Sequence, residues 1–334
     1  MLDDARLPKD LRNEASTPVR APTSGAEPPA PGPTRTVRVW RRLVARTARR
    51  FVRVLPPNVY RSLYGYGRLG YVPNYVRPRT FNEKVTWWLR EARDPRLPAR
   101  ADKLAVRDFV AERAPWVRLP EVYAVAEDAA AFPFDALPDL SVFKANHGWN
   151  QVRVLRRPFE VDEVRALGAS WLRHRHGKAN WEWHFLTIAP RVYAEQYLGG
   201  PDGEPPLDFK VLVFNGVARF VQVFLNRGDQ LRRVTFDRAW RVVPVWRSLE
   251  RYGPADVVAP EFHPPRPAQL DAMLRAAEAL AEDVPFVRVD FYVLDEELYF
   301  GELTYFPAAG YMPFFPESAD RAWGDLLDVG SPPA

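Results

Sequence analysis

The segment Phe286 to Pro307, FVRVDFYVLDEELYFGELTYFP, leaves this chain few options. Two apolar runs flank an acidic turn, and each run carries one carboxylate, Asp290 or Glu302, among apolar neighbours. Val287, Val289, Phe291 and Val293 alternate with Arg288, Asp290 and Tyr292, the period-two pattern of a strand. Leu298 to Tyr305 continues in the same style, and Asp295-Glu296-Glu297 suits a three-residue hairpin loop. That closure pairs Leu294 with Leu298, setting Asp290 opposite Glu302 and Arg288 opposite Thr304. Directly opposed residues lie about 4.5–5.5 Å apart at Cβ, so two like charges meet inside an apolar sheet. A hard divalent cation between them relieves the repulsion. A solvated hairpin whose acids face water meets the same pattern, and the pattern alone does not choose.

The rest of the chain has the size and composition to build a core around such a hairpin. It has 334 residues, 47% hydrophobic and 13% aromatic, enough for two or three subdomains. No apolar run approaches the roughly 20 residues that span a bilayer, and the N-terminus lacks a signal-peptide core, so a cytoplasmic location is the default expectation. With no cysteine, disulfides, thiolate metal sites and cysteine nucleophiles are excluded.

The net charge of +5 is unevenly spread. Arg35, Arg38, Arg41, Arg42, Arg46, Arg49, Arg50 and Arg53 follow one another with no acid between them. Lysine is confined to Lys9, Lys84, Lys103, Lys144, Lys178 and Lys210. In a chain that defaults to arginine, a lysine inside an apolar strand suggests a site that needs a compact ammonium. Lys144 and Lys210 both lie in such strands.

Residues 1–34, rich in Pro, Ala, Ser and Thr, are expected to form a disordered tail. Residues 35–60 then read as a basic amphipathic helix, with Val37, Trp40, Val44, Phe51 and Val54 at helical spacing. Its apolar stripe either docks on the folded domain or, through 35–55, touches an anionic membrane surface at its inner face. Thr80-Phe-Asn-Glu83 is a capping box opening a helix to about Arg90, with Trp87 and Trp88 as core residues. Ala101 to Arg113, Val161 to His174 and Pro267 to Glu282 read as further helices. Strands are expected at Ser141–Ala145, Val152–Leu155, Arg191–Leu198, Phe209–Phe214 and Ala218–Leu225, with Asn215-Gly216 as a turn. Strand pairs alternating with single helices indicate an α+β fold. His174 and His176 read as a basic helix end, and His184 as a packed or substrate-facing histidine. The arginine run has no base-stacking motif beside it, so nucleic acid is not expected as a partner.

Lys144 on a strand before a small-residue loop, Glu195-Gln-Tyr-Leu198 ending another, Lys210 on a third, then Arg288-x-Asp290 and Glu302-x-Thr304: this order resembles the ATP-grasp superfamily, and within it the TupA-like family, named for a teichuronopeptide biosynthesis protein. The matching pieces are TFNEK at Thr80–Lys84, FKANHG at Phe143–Gly148, EWHF at Glu182–Phe185, PRVYAEQYL at Pro190–Leu198 and DFKVLVFNG at Asp208–Gly216. FVRVDFY at Phe286–Tyr292 and YFGELTYFPAAG at Tyr299–Gly310 complete the set. The likeness spans roughly Leu63 to Leu327.

The resemblance implies a domain at 61–330 whose two α+β subdomains, about 100–190 and 191–330, clasp ATP between their sheets. It implies that Lys144 and Lys210 bind ATP phosphates, with Arg288 near the γ-phosphate. Asn146, His147 and Gly148 would form a mobile loop over the phosphates. The hinge Glu195, Gln196, Tyr197 and Leu198 would hold adenine, with Glu195 or Asp202 reaching its amine or the ribose. Asp290 and Glu302 would hold Mg²⁺. Thr304 stands where such enzymes commonly carry Asn, and Trp149-Asn150 where Gly and Ser are usual. The implied chemistry is an ADP-forming carboxylate–amine ligation through an acyl-phosphate, on sugar-acid or amino-acid substrates in cell-surface polysaccharide or related biosynthesis. A kinase acting on a sugar hydroxyl, and a non-ligase, glycosyltransferase-like protein, are the alternatives.

Overall fold

The computed structural model describes residues 40, 43–48, 57–91, 93–177, 181–200, 204, 206–227, 230–247 and 263–330. The Pro-rich tail, most of the arginine run and Asp202 lie outside the described residues. Helices α1 (Pro57–Leu69), α2 (Phe81–Glu91), α3 (Leu97–Ala101) and α4 (Val106–Arg113) lead into strand β1 (Val122–Ala126). Strands β2 (Leu140–Ala145) and β3 (Val152–Arg156), helix α5 (Val161–Arg173) and strand β4 (Val192–Gln196) follow. Strands β5 (Asp208–Phe214), β6 (Val217–Arg227), β7 (Gln230–Asp237) and β8 (Trp246–Arg247) precede helix α6 (Leu270–Leu280). Strands β9 (Phe286–Leu294), β10 (Glu297–Thr304) and β11 (Phe314–Phe315) and helix α7 (Ser318–Asp325) complete the order.

The strands form a small sheet, β1-β4-β2-β3, a large sheet, β10-β9-β5-β6-β7, and a short β8-β11 pair, all antiparallel. The expected division at 190/191 falls just before β4, whose partners β1 and β2 belong to the small sheet. The change of sheet therefore comes after Gln196, before Asp208. The larger body is also discontinuous. Phe81, Val85, Trp88, Val106 and Val110, from helices that precede the small sheet, share one core with β5, β6, β9 and α6. The small sheet packs Phe143, Ala145, Leu155, Val192 and Ala194 with Val164 and Trp171 of α5 in a separate core. It is an insertion into the larger body.

Phe81 shows how the main core is tied. Its ring centroid lies 5.0 Å from Phe286, 5.7 Å from Phe214 and Phe314 and 6.0 Å from Trp323, joining four elements. Truncating such a ring costs about 3–5 kcal/mol. The TFNEK motif is architectural. Glu83 accepts from the Thr80 amide at 3.0 Å while its own amide donates to Thr80 Oγ1 at 3.2 Å, the reciprocal pair of a capping box. Asn82 Nδ2 donates to Asp320 Oδ2 at 2.8 Å, and Lys84 Nζ donates to the carbonyls of Gly324 and Leu327 at 2.8 and 2.7 Å. These bonds fasten α2 to α7.

The helix expected over Ala101–Arg113 is instead two helices, α3 and α4. Asp102 is extended (φ −71°, ψ 117°), and its Oδ1 accepts from the amides of Leu104 at 2.8 Å and Ala105 at 3.3 Å. An aspartate that bonds the amides just ahead of it competes with the helical ladder. Lys103 sits in the resulting break.

The hairpin also differs from its expected form. Glu297 pairs with Leu294, so the loop is Asp295-Glu296, with positive φ of 50° and 63°. Two left-handed residues are the mark of a type I′ turn. This register alone would put Glu302 opposite Val289, in the core. A bulge at Gly301, between the Phe300–Phe291 and Glu302–Asp290 pairs, shifts the strand by one residue. Phe300 stays in the core and Glu302 turns to the opposite face, directly across from Asp290.

Candidate active site

The face of the large sheet turned away from α6 carries an unbroken polar row. Reading across partners, Glu302 on β10 pairs with Asp290 on β9, Asp290 with Lys210 on β5, Lys210 with Gln222 on β6 and Gln222 with Thr235 on β7. Alternation explains the sidedness: Phe209, Val211, Val289 and Phe291 point to the core, so the residues between them point out. Arg288 stands one step along from Asp290 on that face, and Asp208 one step along from Lys210.

These groups are tightly joined. Lys210 Nζ lies 2.5 Å from both Asp290 Oδ2 and Asp208 Oδ2. Arg288 donates Nε to Asp290 Oδ1 at 2.6 Å, and its Nη2 donates to Asp290 Oδ2 at 2.7 Å and Glu302 Oε1 at 2.9 Å. Thr304 Oγ1 donates to Glu302 Oε1 at 3.3 Å. The cation between the two opposed carboxylates is therefore Arg288.

The small sheet presents Lys144 and Glu195, which are ion-paired, on the face opposite its own core. Lys144 pairs with Val152 and Val142 with Val154, so the exposed Val152 and Val154 share that face and give it an apolar floor. Lys103 joins the two sheets. Its ammonium donates to the Gly148 carbonyl after β2 and lies 3.7 Å from Glu302 Oε2 on β10. Its backbone amide donates to the Asn146 carbonyl at 3.2 Å.

The electrostatics follow from this crowding. Burial opposes ionisation of Glu302, but Lys103, Arg288, Lys210 and Lys144 outweigh it and bring the carboxyl down to about 2. The ammonium of Lys144, from the other sheet, adds the smallest of those influences, and Lys103 is the side chain that touches both sheets. Burial drives Lys103 below the usual lysine range, with Lys144 reinforcing it. Lys210 goes the other way, because Asp208 and Asp290 overcome the cost of burial. Burial raises Asp208, helped by Asp290 and opposed by Lys210. Among the described residues the buried Oδ1 of Asp208 has no hydrogen-bond partner. The charges of Asp208, Asp290 and Glu302 push the Tyr292 hydroxyl well up, with burial adding to the effect.

Lys210, Arg288, Asp290, Glu302 and Thr304 are thus brought together on the large sheet, and Lys144 and Glu195 are paired on the small one. Asn146 and His147 are placed elsewhere. Both are fully buried. Asn146 donates to Asp102 Oδ2 and to the Ala189 carbonyl, each at 3.0 Å, and accepts from the Arg191 amide at 2.7 Å. His147 Nε2 faces the carbonyls of Trp171 and His174 at 3.2 and 3.1 Å. They anchor the loop from beneath and do not cover the cleft. Of the loop, the Gly148 carbonyl reaches Lys103, and Trp149 is half exposed. Gly148 has a packing reason to be glycine: a Cβ there would lie 2.1 Å from the His176 ring. In the hinge, the Gln196 amide is committed to the Glu121 carbonyl at 2.8 Å and Leu198 is buried.

Lys103, Asp208, Gln222 and Thr235 escaped the sequence reading. Lys103 lay inside an apparent helix. Its one available signal was the Asp102-Lys103 pair in a lysine-poor chain.

The model for the TupA-like ATP-grasp family matches residues 83–328. The chain belongs to this family. No curated protein matches it. Among solved structures it resembles a D-alanine–D-alanine ligase from Bacillus anthracis in complex with ATP, at 16% identity and TM-score 0.36 over 62% of this chain and 55% of that one. It also resembles the ADP complex of PurK, an N5-carboxyaminoimidazole ribonucleotide synthetase, at 16% identity and TM-score 0.38 over 62% and 45%. A third is the ATP-grasp ligase PsnB with a minimal precursor, at 14% identity and TM-score 0.34 over 63% and 53%. The chain thus spans about half the length of these structures.

Membership of an ATP-grasp family implies a magnesium nucleotide. Magnesium keeps several waters and takes one or two carboxylates together with substrate phosphates. Asp290 and Glu302 supply a hard oxygen pair of that kind, while among the described residues no three His, Cys, Asp or Glu side chains are grouped to hold a metal ion by themselves. The donor set fits the ion.

Proposed function

We propose that the protein is an ATP- and Mg²⁺-dependent carboxylate–amine ligase that forms an acyl-phosphate and releases ADP. The observation that carries this reading is the convergence of Lys103, Lys210 and Arg288 on the Asp290–Glu302 pair, with Lys103 also bonded to the Gly148 carbonyl of the small sheet. In phosphoryl transfer the protein has little covalent work to do, and positioning and charge stabilisation dominate. Lysine ammonium groups and a guanidinium suit phosphate oxygens. Val152 and Val154, on the face that carries Lys144, offer an apolar surface for adenine, and Glu195 lies on the same face two strands away.

In this scheme a substrate carboxylate oxygen attacks the γ-phosphorus and ADP leaves. An amine then attacks the acyl carbon and expels phosphate. Bound magnesium supplies charge neutralisation on the phosphates, with Asp290 and Glu302 as its protein ligands. Arg288, which bridges those carboxylates here, would turn to the transferring phosphoryl group once magnesium takes its place. Lys210 holds the phosphates from β5, Lys144 from β2 and Lys103 from the α3–α4 break.

The substrates we assign are a sugar acid or amino-acid carboxylate and an amine, in the assembly of cell-surface polysaccharide or a related product. Purified protein is incubated with ATP, Mg²⁺ and pairs of uronic and amino acids, and nucleotide products are resolved. ADP released only when both substrates are present supports the reading. AMP release, or no turnover with any carboxylate, contradicts it.

A hydroxyl acceptor is the second reading, favoured by Asp208. A carboxylate raised by burial, with one buried oxygen unpartnered, has the character of a base for an alcohol. A stable phosphomonoester product, unchanged by added amine, would select it.

A further inference from the structure

Between Glu27 and Glu83 the chain contains no acidic residue, and within that span lie Arg35, Arg38, Arg41, Arg42, Arg46, Arg49, Arg50, Arg53, Arg61, Arg68, Arg77 and Arg79. The same span holds a concentration of exposed large apolar side chains. Trp40 and Leu43 are 59% and 53% exposed, and Val72 and Val76 are 67% and 77% exposed. Val59 and Leu63 add two more on α1.

Their placement makes surfaces of them. Residues 43–48 are helical, and Ala45 and Ala48 are the buried side of that turn. Trp40, on the apolar stripe expected either to dock on the domain or to touch a membrane, points to solvent with Leu43, three residues on. Val59 and Leu63 are four apart on α1 and share one face, next to the side that carries Tyr60, which is buried, and Tyr64, which packs edge-on against Tyr311 at 4.9 Å. The segment carrying Val72 and Val76 is packed on α1, so closely that a Cβ at Gly65 would lie 2.6 Å from Pro73 Cγ. Arg46, Arg77 and Arg79 are exposed among these residues.

Isolated exposed apolar residues need no explanation, but a large concentration of them in an acid-free, arginine-rich span does. A protein partner with an ordinary mixed surface gains little from such one-signed charge. An anionic lipid surface matches both halves: its headgroups attract the exposed arginines, and Trp, Leu and Val enter the headgroup–acyl boundary. No helix among the described residues is long and apolar enough to cross a membrane. We propose that the exposed residues Arg46, Arg77 and Arg79 with Trp40, Leu43, Val72 and Val76 dock the protein on the surface of an anionic membrane, the last four as its apolar contacts.

The full chain is sedimented with phosphatidylcholine vesicles and with vesicles in which about one-third of the lipid is phosphatidylglycerol. We expect binding to the anionic vesicles only, weakening steeply as salt rises. Trp40→Ser with Leu43→Ser, and separately Val72→Glu with Val76→Glu, should each weaken it by about tenfold or more. Because Val72 and Val76 are the most exposed of these residues, the second pair leaves the fold intact, which circular dichroism verifies. Binding to neither vesicle, equal binding to both, or full binding by both variants overturns the proposal. So does tighter binding to a DNA duplex than to the anionic vesicles at the same salt.

Discussion

Glu302 stands opposite Asp290 because Gly301 is passed over in the β9–β10 ladder. The two-residue turn alone would have sent Glu302 toward Val289 and the core, and the bulge returns it to the face that carries Arg288 and Lys210. The bulge leaves no room for a side chain. A Cβ on Gly301 would lie 2.9 Å from Tyr292 Cε2 and 3.0 Å from the Asp290 carbonyl oxygen. Gly301→Ala is expected to lower stability by about 1–3 kcal/mol, as overpacking does. It should also weaken magnesium-dependent nucleotide binding, measured by chemical denaturation and calorimetry on the same protein.

Lys103 is expected to matter for nucleotide rather than for folding. Its partners are one backbone carbonyl and one carboxylate 3.7 Å away, and burial already disfavours its charge. Lys103→Met should leave the thermal midpoint unchanged or higher while reducing ATP affinity about tenfold to a hundredfold. Equal affinities for the two proteins would remove Lys103 from the site.

Asn146 makes the opposite prediction. Its side chain ties Asp102, Ala189 and Arg191 together inside the fold, and its removal leaves buried polar partners unsatisfied. Asn146→Ala should cost about 2–4 kcal/mol of stability. The folded fraction should keep a near-native KM for ATP. A selective rise in that KM at native stability would show that Asn146 touches the phosphates.

Two buried histidines set an acid limit. Burial lowers His184 to about 3, and burial with His174 and His147 nearby lowers His176 to about 4. In the unfolded chain each titrates near 6.5, so below that pH the unfolded state binds the extra protons and stability falls. The slope is about 1.4 kcal/mol per pH unit for each histidine, down to its folded value. His184 has Phe306 and Phe185 rings at 5.2 and 4.2 Å and no partner on Nδ1. His184→Phe is therefore expected to flatten the loss between pH 6.5 and 5 while changing little at pH 8. Urea unfolding across that range reads it, and unchanged acid sensitivity would refute it.

The strands that carry charge were legible because an ionised side chain inside strict apolar alternation is costly and therefore conspicuous. Lys144, Lys210, Asp290 and Glu302 announce themselves in this way. The Asp290–Glu302 pairing was reached through a three-residue loop, whereas the real path is a two-residue turn plus a bulge, and both end in the same register. Alternation cannot tell the two apart, since only Gly301 marks the difference. Lys103 was hidden because Asp102 breaks a stretch whose periodicity reads as continuous helix. Strand β1 is a short, mostly half-exposed edge, and β7 mixes arginine, threonine and aspartate, so neither shows a clean period. The distribution of the larger core over helices on both sides of the small sheet is tertiary packing, which local patterns do not encode.

The Asp290–Glu302 pair is expected to serve a magnesium nucleotide. The most direct measurement is a calorimetric titration of ATP into wild type and Glu302→Gln, each with and without Mg²⁺. Wild type should bind ATP markedly more tightly with the metal, and Glu302→Gln should lose most of that magnesium-dependent gain while its metal-free binding changes little. Identical magnesium dependence in the two proteins, or no ATP binding by wild type, would contradict the account.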